Sequence, residues 1–529
     1  MGRPPACRRA EAPPVTNLLE PLFVHRVRGR ISSSPLLADA NADGWPEVFV
    51  GGPVLTGLSW DGEQLPRWPR RSRKPFASSP AFGDINGDGR GEIVVGCDDG
   101  QVHAFYPDGD PVGGWPIRTG RDVFSTTVLA DVNHDKAAEV VVGSDDGSLY
   151  VLRGDGRRVW RAELRGRPFI SGSPAVADLD GDGSPEIAVG AWDRQIHVWS
   201  GDGEEHSTLG PTAGNAIWSS PLAFMLRGGA GHLAWASDMA FVGSLRGGVL
   251  PGWPARTESW IVSSPAVVEL SGGSGASVVV GAERLYAWDL FGRPRPGWPV
   301  DLGDFVWSSP IAFDLDGDGS REVLAGSWDG GLYAFRSDGT PVPGFPVRTE
   351  GPIFSTPAAA PLRGGGGLLV AASWDGTVRG WRLPRAKFGP GDWLQFRGSP
   401  TRTGLQPQPF EPPQGAPLED KEIASRPRVH AAHEERWPTG HGIHRIVAHG
   451  EALHRAKGLR LVYEILGEGR EHIAPFVNSR GATVALVQPL RIPRPVRYRI
   501  EFDGPDGRIH RWPPNGGRRF LSRTTLCAR

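Results

Sequence analysis

Residues 173–210 read SPAVADLDGDGSPEIAVGAWDRQIHVWSGDGEEHSTLG. An apolar run, AVA, enters an acidic loop, DLDGDGSPE, and a second run, IAVG, leaves it. A polar turn, AWDR, leads to the alternating QIHVW and then to a Gly-Asp-Gly turn. Short runs rich in Val and Ile, bounded by Asp-Gly turns, are strands joined by hairpins. The scheme gives four antiparallel strands per unit, here called A to D. Residues 80–118 repeat it and run into GWPIRTG, 114–120.

Outward from this unit, a Ser-Ser-Pro-like tripeptide recurs. Its third position falls at Pro35, Pro80, Thr127, Pro174, Pro221, Pro265, Pro310 and Pro357, a mean spacing of 46 residues. That period is the range of propeller blades. Eight units predict an all-β, eight-bladed β-propeller of four-stranded blades, closed on itself to remove edge strands. The eighth unit stops after its third strand, at 377–384 (TVRGWRLP). Residues 21–30, PLFVHRVRGR, align with the outer-strand position. The N-terminal segment is therefore expected to complete the last blade in a three-plus-one seam.

Composition agrees with this reading. The chain has 74 Gly and 50 Pro among 529 residues, a content that excludes helical bundles because both residues cost helix stability. Lys plus Arg number 58 and Asp plus Glu 59, so no basic surface for nucleic acid is indicated. Cys7, Cys97 and Cys527 are too few and too scattered for a disulfide framework or a Cys-type zinc site. No apolar run is long enough to span a membrane, and the N-terminus carries no signal-peptide core. The expected organisation is a disordered leader over 1–20, the propeller over 21–384, a Pro-rich linker over 385–424 and a small β-sandwich over 425–529. Residues 406–417, QPQPFEPPQGAP, carry five prolines in twelve, a semi-rigid composition. In the tail the runs LRLVYEIL, ATVALVQPL and VRYRIEF alternate, with Val496, Tyr498, Ile500 and Phe502 on one face. A monomer is expected. Six tail histidines, from His430 to His454, lack a repeated ligand spacing and read as ordinary surface residues.

Five units place acids, or their amide, at positions 1, 3, 5 and 9 of the A–B loop. They are Asp39-Asn41-Asp43-Glu47, Asp84-Asn86-Asp88-Glu92, Asp131-Asn133-Asp135-Glu139, Asp178-Asp180-Asp182-Glu186 and Asp314-Asp316-Asp318-Glu322. Alternate residues of a tight loop point oxygens at one centre, and position 7 adds a carbonyl. Hard oxygens in that number suit Ca²⁺, so up to five calcium sites are expected. The alternative for any single loop is an empty turn held by Asx hydrogen bonds. Position 12 lacks the EF-hand Glu, and the flanks are strands rather than helices.

The D-x-[DN]-x-D-G-x-x-E loop, preceded by SSPAVAD and followed by EIVVG, resembles the FG-GAP/VCBS repeat family of β-propellers, shared with integrin α-subunit heads. The resemblance covers roughly 21–384. It implies calcium at the blade rims, an extracytoplasmic setting and an adhesive or glycan-binding role. Integrin heads have seven blades; eight is similar to the FG-GAP propellers of some polysaccharide lyases. DWLQFRGSPTRTG (392–404) resembles a segment of quinoprotein-like propellers. VRYRIEFDGPDGRIHRWPP resembles an immunoglobulin-like or fibronectin-like module.

If the acidic loops join A to B on one face, the B–C and D–A turns lie on the other. The B–C turns hold Asp98-Asp99, Asp145-Asp146, Trp192-Asp193, Trp328-Asp329 and Trp374-Asp375; Phe76, Phe124, Trp218, Trp307 and Phe354 precede the tripeptides. Aromatic faces beside carboxylates suit a sugar or a cation, and a glycan or protein ligand is expected there. The competing reading makes these rings wedges between blades. The Trp residues of the GWP motifs (Trp115, Trp253, Trp298) belong to outer strands. An enzyme, lyase-like or quinoprotein-like, is the alternative function. Its candidate bases are Lys74, Lys136, His103, His197, Tyr106, Tyr150, Tyr286 and Tyr333, most of them inside strand C. No catalytic motif is present.

Overall fold

The computed structural model describes residues 18–209, 215–227 and 231–411, and the backbone of eight strands between 428 and 521. The leader up to residue 17 and the linkers of the tail lie outside the described residues. The chain divides into two units, Met1–Leu418 and Glu419–Arg529.

The first unit is an eight-bladed, all-β propeller. The A strands run from Leu36–Ala38 in blade 1 to Ala358–Pro361 in blade 8, and each pairs antiparallel with B, then B with C. Outer D strands complete the sheets at Ile117–Arg118, Arg158–Glu163, Glu205–Leu209 and Val347–Arg348; blade 5 has two short outer pieces, Gly248–Val249 and Ala255–Arg256. In blades 1 and 6 the fourth strand is reduced to single bridges, Leu55 to Arg70 and Leu285 to Val300. The strand Glu20–Arg26 pairs antiparallel with strand C of blade 8, Thr377–Leu383, with Val24 opposite Arg379.

The apolar core is divided among the faces between blades. Val94, Val102 and Ala104 of blade 2 meet Val140, Val142 and Leu152 of blade 3. Val141, Leu149 and Val151 of blade 3 meet Ile187 and Val189 of blade 4. Each unit buries its sheet against the next, as repeat architectures require. Strand B of blade 3, Glu139–Ser144, carries Gly at position 143 because a Cβ there would lie 2.4 Å from the Ile170 side chain.

Polar groups fix the ring at two radii. The second residue of every tripeptide donates its backbone N–H to the hydroxyl of its counterpart in the next blade. The sequence of donors runs Ser34 to Ser79, Thr126, Ser173, Ser220, Ser264, Ser309 and Thr356. Thr356 then donates to Ser34 at 3.0 Å, so the girdle closes after eight members. Further out, the indole N–H of Trp115 reaches the Gly154 carbonyl of the next blade at 2.8 Å. Trp68, Trp253 and Trp298 do the same to Pro107, Leu290 and Ser337. The GWP tryptophans are thus staples between outer strands.

The axis of the ring is filled by the chain itself. Residues 385–411, read from composition as part of a linker, pack inside the first unit. Trp393 exchanges both backbone hydrogen bonds with Ala312 of blade 7, and the Leu394 carbonyl accepts from Ala359 of blade 8. The Gln395 side chain accepts from Leu37 of blade 1. The carbonyls of Pro400, Thr401, Thr403 and Gly404 accept from Phe82, Leu129, Val176 and Ala223 of blades 2 to 5. Gln406 donates to Val267 of blade 6 at 3.0 Å. The strand Leu405–Phe410 then runs parallel to strand A of blade 5, Leu222–Leu226. Inner strands leave one edge unpaired, and this segment satisfies it in turn around the ring. Prolines suit the strand because only one of its edges is paired.

Arg397 and Arg402 anchor the segment. Arg402, fully buried, donates to the carbonyls of Pro80 at 2.9 Å and Pro35 at 3.0 Å, and to Phe396. Arg397 donates to the carbonyls of Pro174 and Pro221. Four tripeptide prolines thus turn their carbonyls to the axis, where two guanidinium groups gather them. Both arginines hold positive φ, 65° and 60°, a conformation that persists only where surroundings over-determine it.

In the second unit the strands follow the order Arg428–His430, Gly442–His449, Ala482–Leu490, Glu471–Ser479, Lys457–Ile465, Val496–Asp503 and Ile509–Trp512, with Arg519–Leu521 also on Val496–Asp503. Strand Glu471–Ser479 pairs with Lys457–Ile465 through its first half and with Ala482–Leu490 through its second. The residues flagged on one face, Val496 to Phe502, do share one strand.

Candidate functional site

The antiparallel order of A, B, C and D puts the five acidic loops on one face of the ring and the B–C and D–A turns on the other. Blade 2 shows how a loop is built. Asp84 accepts backbone N–H bonds from Gly87 at 2.6 Å and Gly89 at 2.8 Å. Asn86 accepts from Asp88, and Asp88 from Arg90, each at 2.8 Å. Glu92 opens strand B, and its Oε2 accepts from the Ile85 N–H at 2.9 Å. The same last bond recurs from Ala40, Val132, Leu179 and Leu315 to Glu47, Glu139, Glu186 and Glu322. The turn at position 6 needs positive φ. Glycine supplies it in four loops; Lys136 takes it at 74° in the third.

The glutamates are buried beneath the aspartates. Burial, and then the nearby aspartate charges, push Glu47, Glu92 and Glu322 up to about 7, and raise Glu139 and Glu186. The Oε1 atom of Glu322 is buried without a hydrogen-bond partner. Ligand oxygens of Asp84, Asp88 and Glu92 lie within 4.8 Å of one another, as do those of Asp178, Asp180 and Asp182, and of Asp314, Asp316 and Glu322. In the first loop the Asn41 amide bridges Asp43 at 3.1 Å and Glu47 at 2.8 Å; Asn133 does likewise with Asp135 and Glu139. All-oxygen donor sets with an orphaned buried oxygen fit a hard divalent cation. Basic groups that the loop motif does not include also reach these loops. His206 lies 3.5 Å from Asp180, Arg336 lies 3.3 Å from Asp316, and the Lys387 amine donates to the Gly317 carbonyl.

On the opposite face the turn aromatics meet across blades. Trp192 stands 4.7 Å from Phe169 and 4.5 Å from Trp218, ring centre to ring centre, and Trp260 extends this arc. Trp307, Trp328, Phe354 and Trp374 form a second cluster. Trp307 and Trp328 are only 6% and 7% exposed, so their faces are taken up by neighbours. Trp192, Trp218 and Trp374 are half-buried. The turn aspartates face inward. Asp193 meets His197 at 2.8 Å, Asp329 accepts from Tyr333 at 2.5 Å and pairs with Arg348 at 2.6 Å, and Asp375 lies 3.7 Å from Arg379.

The candidate bases do not converge. Tyr150, His197, Tyr286 and Tyr333 bond to the acids of their own turns. Lys74 pairs with Asp122 at 3.3 Å. Lys136 lies in an acidic loop, and Tyr106 sits beside Asn86 on the loop face. Next to Lys74 on the turn face is an acidic group, Asp98, Asp122 and Asp145. Burial and mutual repulsion push Asp98 up to about 7 and burial pushes Asp145 up to about 6.

Comparison with known proteins supports the repeat. Residues 131–189 match the FG-GAP-like repeat and residues 76–105 the FG-GAP repeat. These stretches hold three of the five acidic loops. No curated protein sequence matches the chain. Among solved structures, BamB from Moraxella catarrhalis superposes with a TM-score of 0.50 at 16% identity, over 70% of this chain and 100% of that one. The quinohemoprotein alcohol dehydrogenase from Comamonas testosteroni gives 0.50 at 13% identity, over 70% and 77%. The Dos1 propeller gives 0.47 at 12% identity, over 70% and 96%. At these identities the likeness is one of fold.

Proposed function

We propose that the chain is a calcium-stabilised binding protein that works outside the cytoplasm and presents its turn face to a glycan or a protein partner. The observation that carries the reading is the division of labour between the two faces. One repeats an oxygen-only cation loop five times; the other gathers half-buried aromatics. Calcium in the loops would offset the repulsion among carboxylates and bind the orphaned Glu322 oxygen. Loops of moderate affinity fill where calcium is abundant, which favours an extracytoplasmic setting. The half-buried Trp192, Trp218 and Trp374 are the ligand-facing rings in this proposal, with Asp193 and Asp375 ordering their turns. Trp307, Trp328 and Asp329 support them from beneath. The strand Glu20–Arg26 on blade 8 serves as the seam that closes the ring, and the tail unit is a β-sandwich of immunoglobulin-like type.

The binding reading is preferred to an enzyme because the candidate bases are dispersed and held by their own turns. The segment 392–404, whose likeness pointed to quinoprotein-like propellers, has a structural task here in filling the axis. A glycan-array screen of the full chain, with and without a chelator, tests the proposal. Binding of a defined glycan class, weakened by Trp218→Ala and by chelation, is the expected outcome. Binding indifferent to both changes refutes it.

A further inference from the structure

The B–C turns of blades 3, 4 and 7 share one device. The turn aspartate accepts the N–H two residues on, and its second oxygen meets the side chain four residues on. In blade 3, Asp146 takes Ser148 at 3.0 Å and the Tyr150 hydroxyl at 2.5 Å. Blade 7 repeats it with Asp329 and Tyr333, and blade 4 closes Asp193 on His197 at 2.8 Å. Two residues before the aspartate, Ser144, Ser327 and Ser373 donate to carbonyls of the preceding D–A segment.

Blade 2 departs from the device at two places together. Cys97 stands where those blades have Ser. Its thiol makes the same bonds to carbonyls, to Lys74 and Pro75 at 3.3 Å, so the structural task needs no sulfur. His103 stands four residues after Asp99, but its Nε2 remains 3.8 Å from the carboxylate instead of closing on it. Ser72 enters the gap, 2.5 Å from Asp99 and 3.4 Å from Nε2. The ligand atoms of Cys97, Asp99 and His103 all lie within 4.8 Å of one another. The three side chains are buried, and Cys97 is a free thiol.

A Ser-His-Asp relay is not formed. Asp99 and Ser72 both face Nε2, whereas a relay needs the acid on the other ring nitrogen. The arrangement matches metal ligation instead. One sulfur, one imidazole nitrogen and one or two oxygens around a point suit a borderline-soft, tetrahedral ion, with ligand distances of about 2.0–2.3 Å.

We propose that Cys97, Asp99 and His103, with Ser72 completing the shell, form a site for a thiophilic divalent cation of the zinc type, separate from the hard-oxygen loops. On binding, the sulfur–metal bond forms as the thiol proton leaves to solvent. The ligand must be the thiolate, so the ion itself drives that loss. The site stands independently of the calcium reading.

The test uses the full chain, reduced, stripped of metal and then saturated with Ca²⁺ so that the loops are filled. Co²⁺ is the probe, because only a thiolate ligand gives an intense sulfur-to-cobalt charge-transfer band. One equivalent should raise the band, and Zn²⁺ should abolish it. Cys97→Ser should remove it with the circular-dichroism spectrum unchanged, since Ser occupies this position in blades 3, 7 and 8. His103→Gln should weaken Co²⁺ binding at least tenfold, and Cys7→Ser with Cys527→Ser should leave it intact. Absence of the band, or a band that survives Cys97→Ser, overturns the proposal.

Discussion

Replacing Arg402 by Ala tests whether the axial segment holds the ring. The side chain is fully buried and donates to the carbonyls of Pro80, Pro35 and Phe396. Truncation strands two buried acceptors and a partly buried third, each costing about 1–3 kcal/mol. Partial entry of water brings the sum to about 3–6 kcal/mol. Unfolding entropy near 2.1 cal/mol/K per residue, over roughly 390 residues, makes each kcal/mol worth about 1.2 °C. The melting temperature should therefore fall by about 4–7 °C in differential scanning calorimetry. Arg402→Lys keeps the charge but offers a point donor in place of a planar fork, so it should recover less than half of the loss. An Ala variant that melts within about 1 °C of the parent, or a Lys variant equal to it, refutes the reasoning.

Ser79→Ala removes one bond of the girdle and should cost about 1 kcal/mol, with Ser264→Ala on the far side additive to it in denaturant melts; strong coupling between the two would contradict independent blade contacts. A chelator should lower the melting temperature and added Ca²⁺ restore it, because a ligand of the native state stabilises by mass action. No change in melting temperature would sink the calcium reading. Asp182→Ala should abolish one calcium equivalent in titration calorimetry while the ring still folds on the remaining loops; collapse of the fold would contradict this. Asp145 is held protonated by burial, up to about 6, so the folded state binds its proton more tightly than the unfolded chain. Its effect on stability is lost as pH rises from the ordinary carboxylate range through about 6. Asp145→Asn, which retains an acceptor for the Ser171 hydroxyl, should flatten stability across that window, and an unaltered pH profile would exclude this assignment.

The blades and acidic loops were legible because they repeat. Eight tripeptides and five D-x-[DN]-x-D loops each supply the same signal several times, and short strands at that spacing are the pattern of propeller blades. The second serine of the tripeptide was legible as a repeat but not as a girdle, since its partner lies some 46 residues ahead. The axial packing of residues 385–411 was not legible, although 392–404 resembles a segment of quinoprotein-like propellers. The segment occurs once, its prolines resemble a linker, and it binds mainly backbone groups, which leave no mark in composition. Trp307 and Trp218 look alike in sequence; only packing depth separates a buried wedge from a half-exposed ring. The Cys97 cluster was hidden because Ser72 and His103 come from separate segments, and His103 reads as one more alternating strand residue.

The axial segment also sets an order of events during synthesis. Blades 1 to 8 emerge first, from the N-terminus onward, with the inner edges of their A strands unpaired. The residues that satisfy those edges follow only after blade 8, between Trp393 and Phe410. A chain interrupted anywhere before that point has eight blades or fewer and an open axis. The inner edges of all eight A strands are therefore paired only by residues that follow the last blade in the chain.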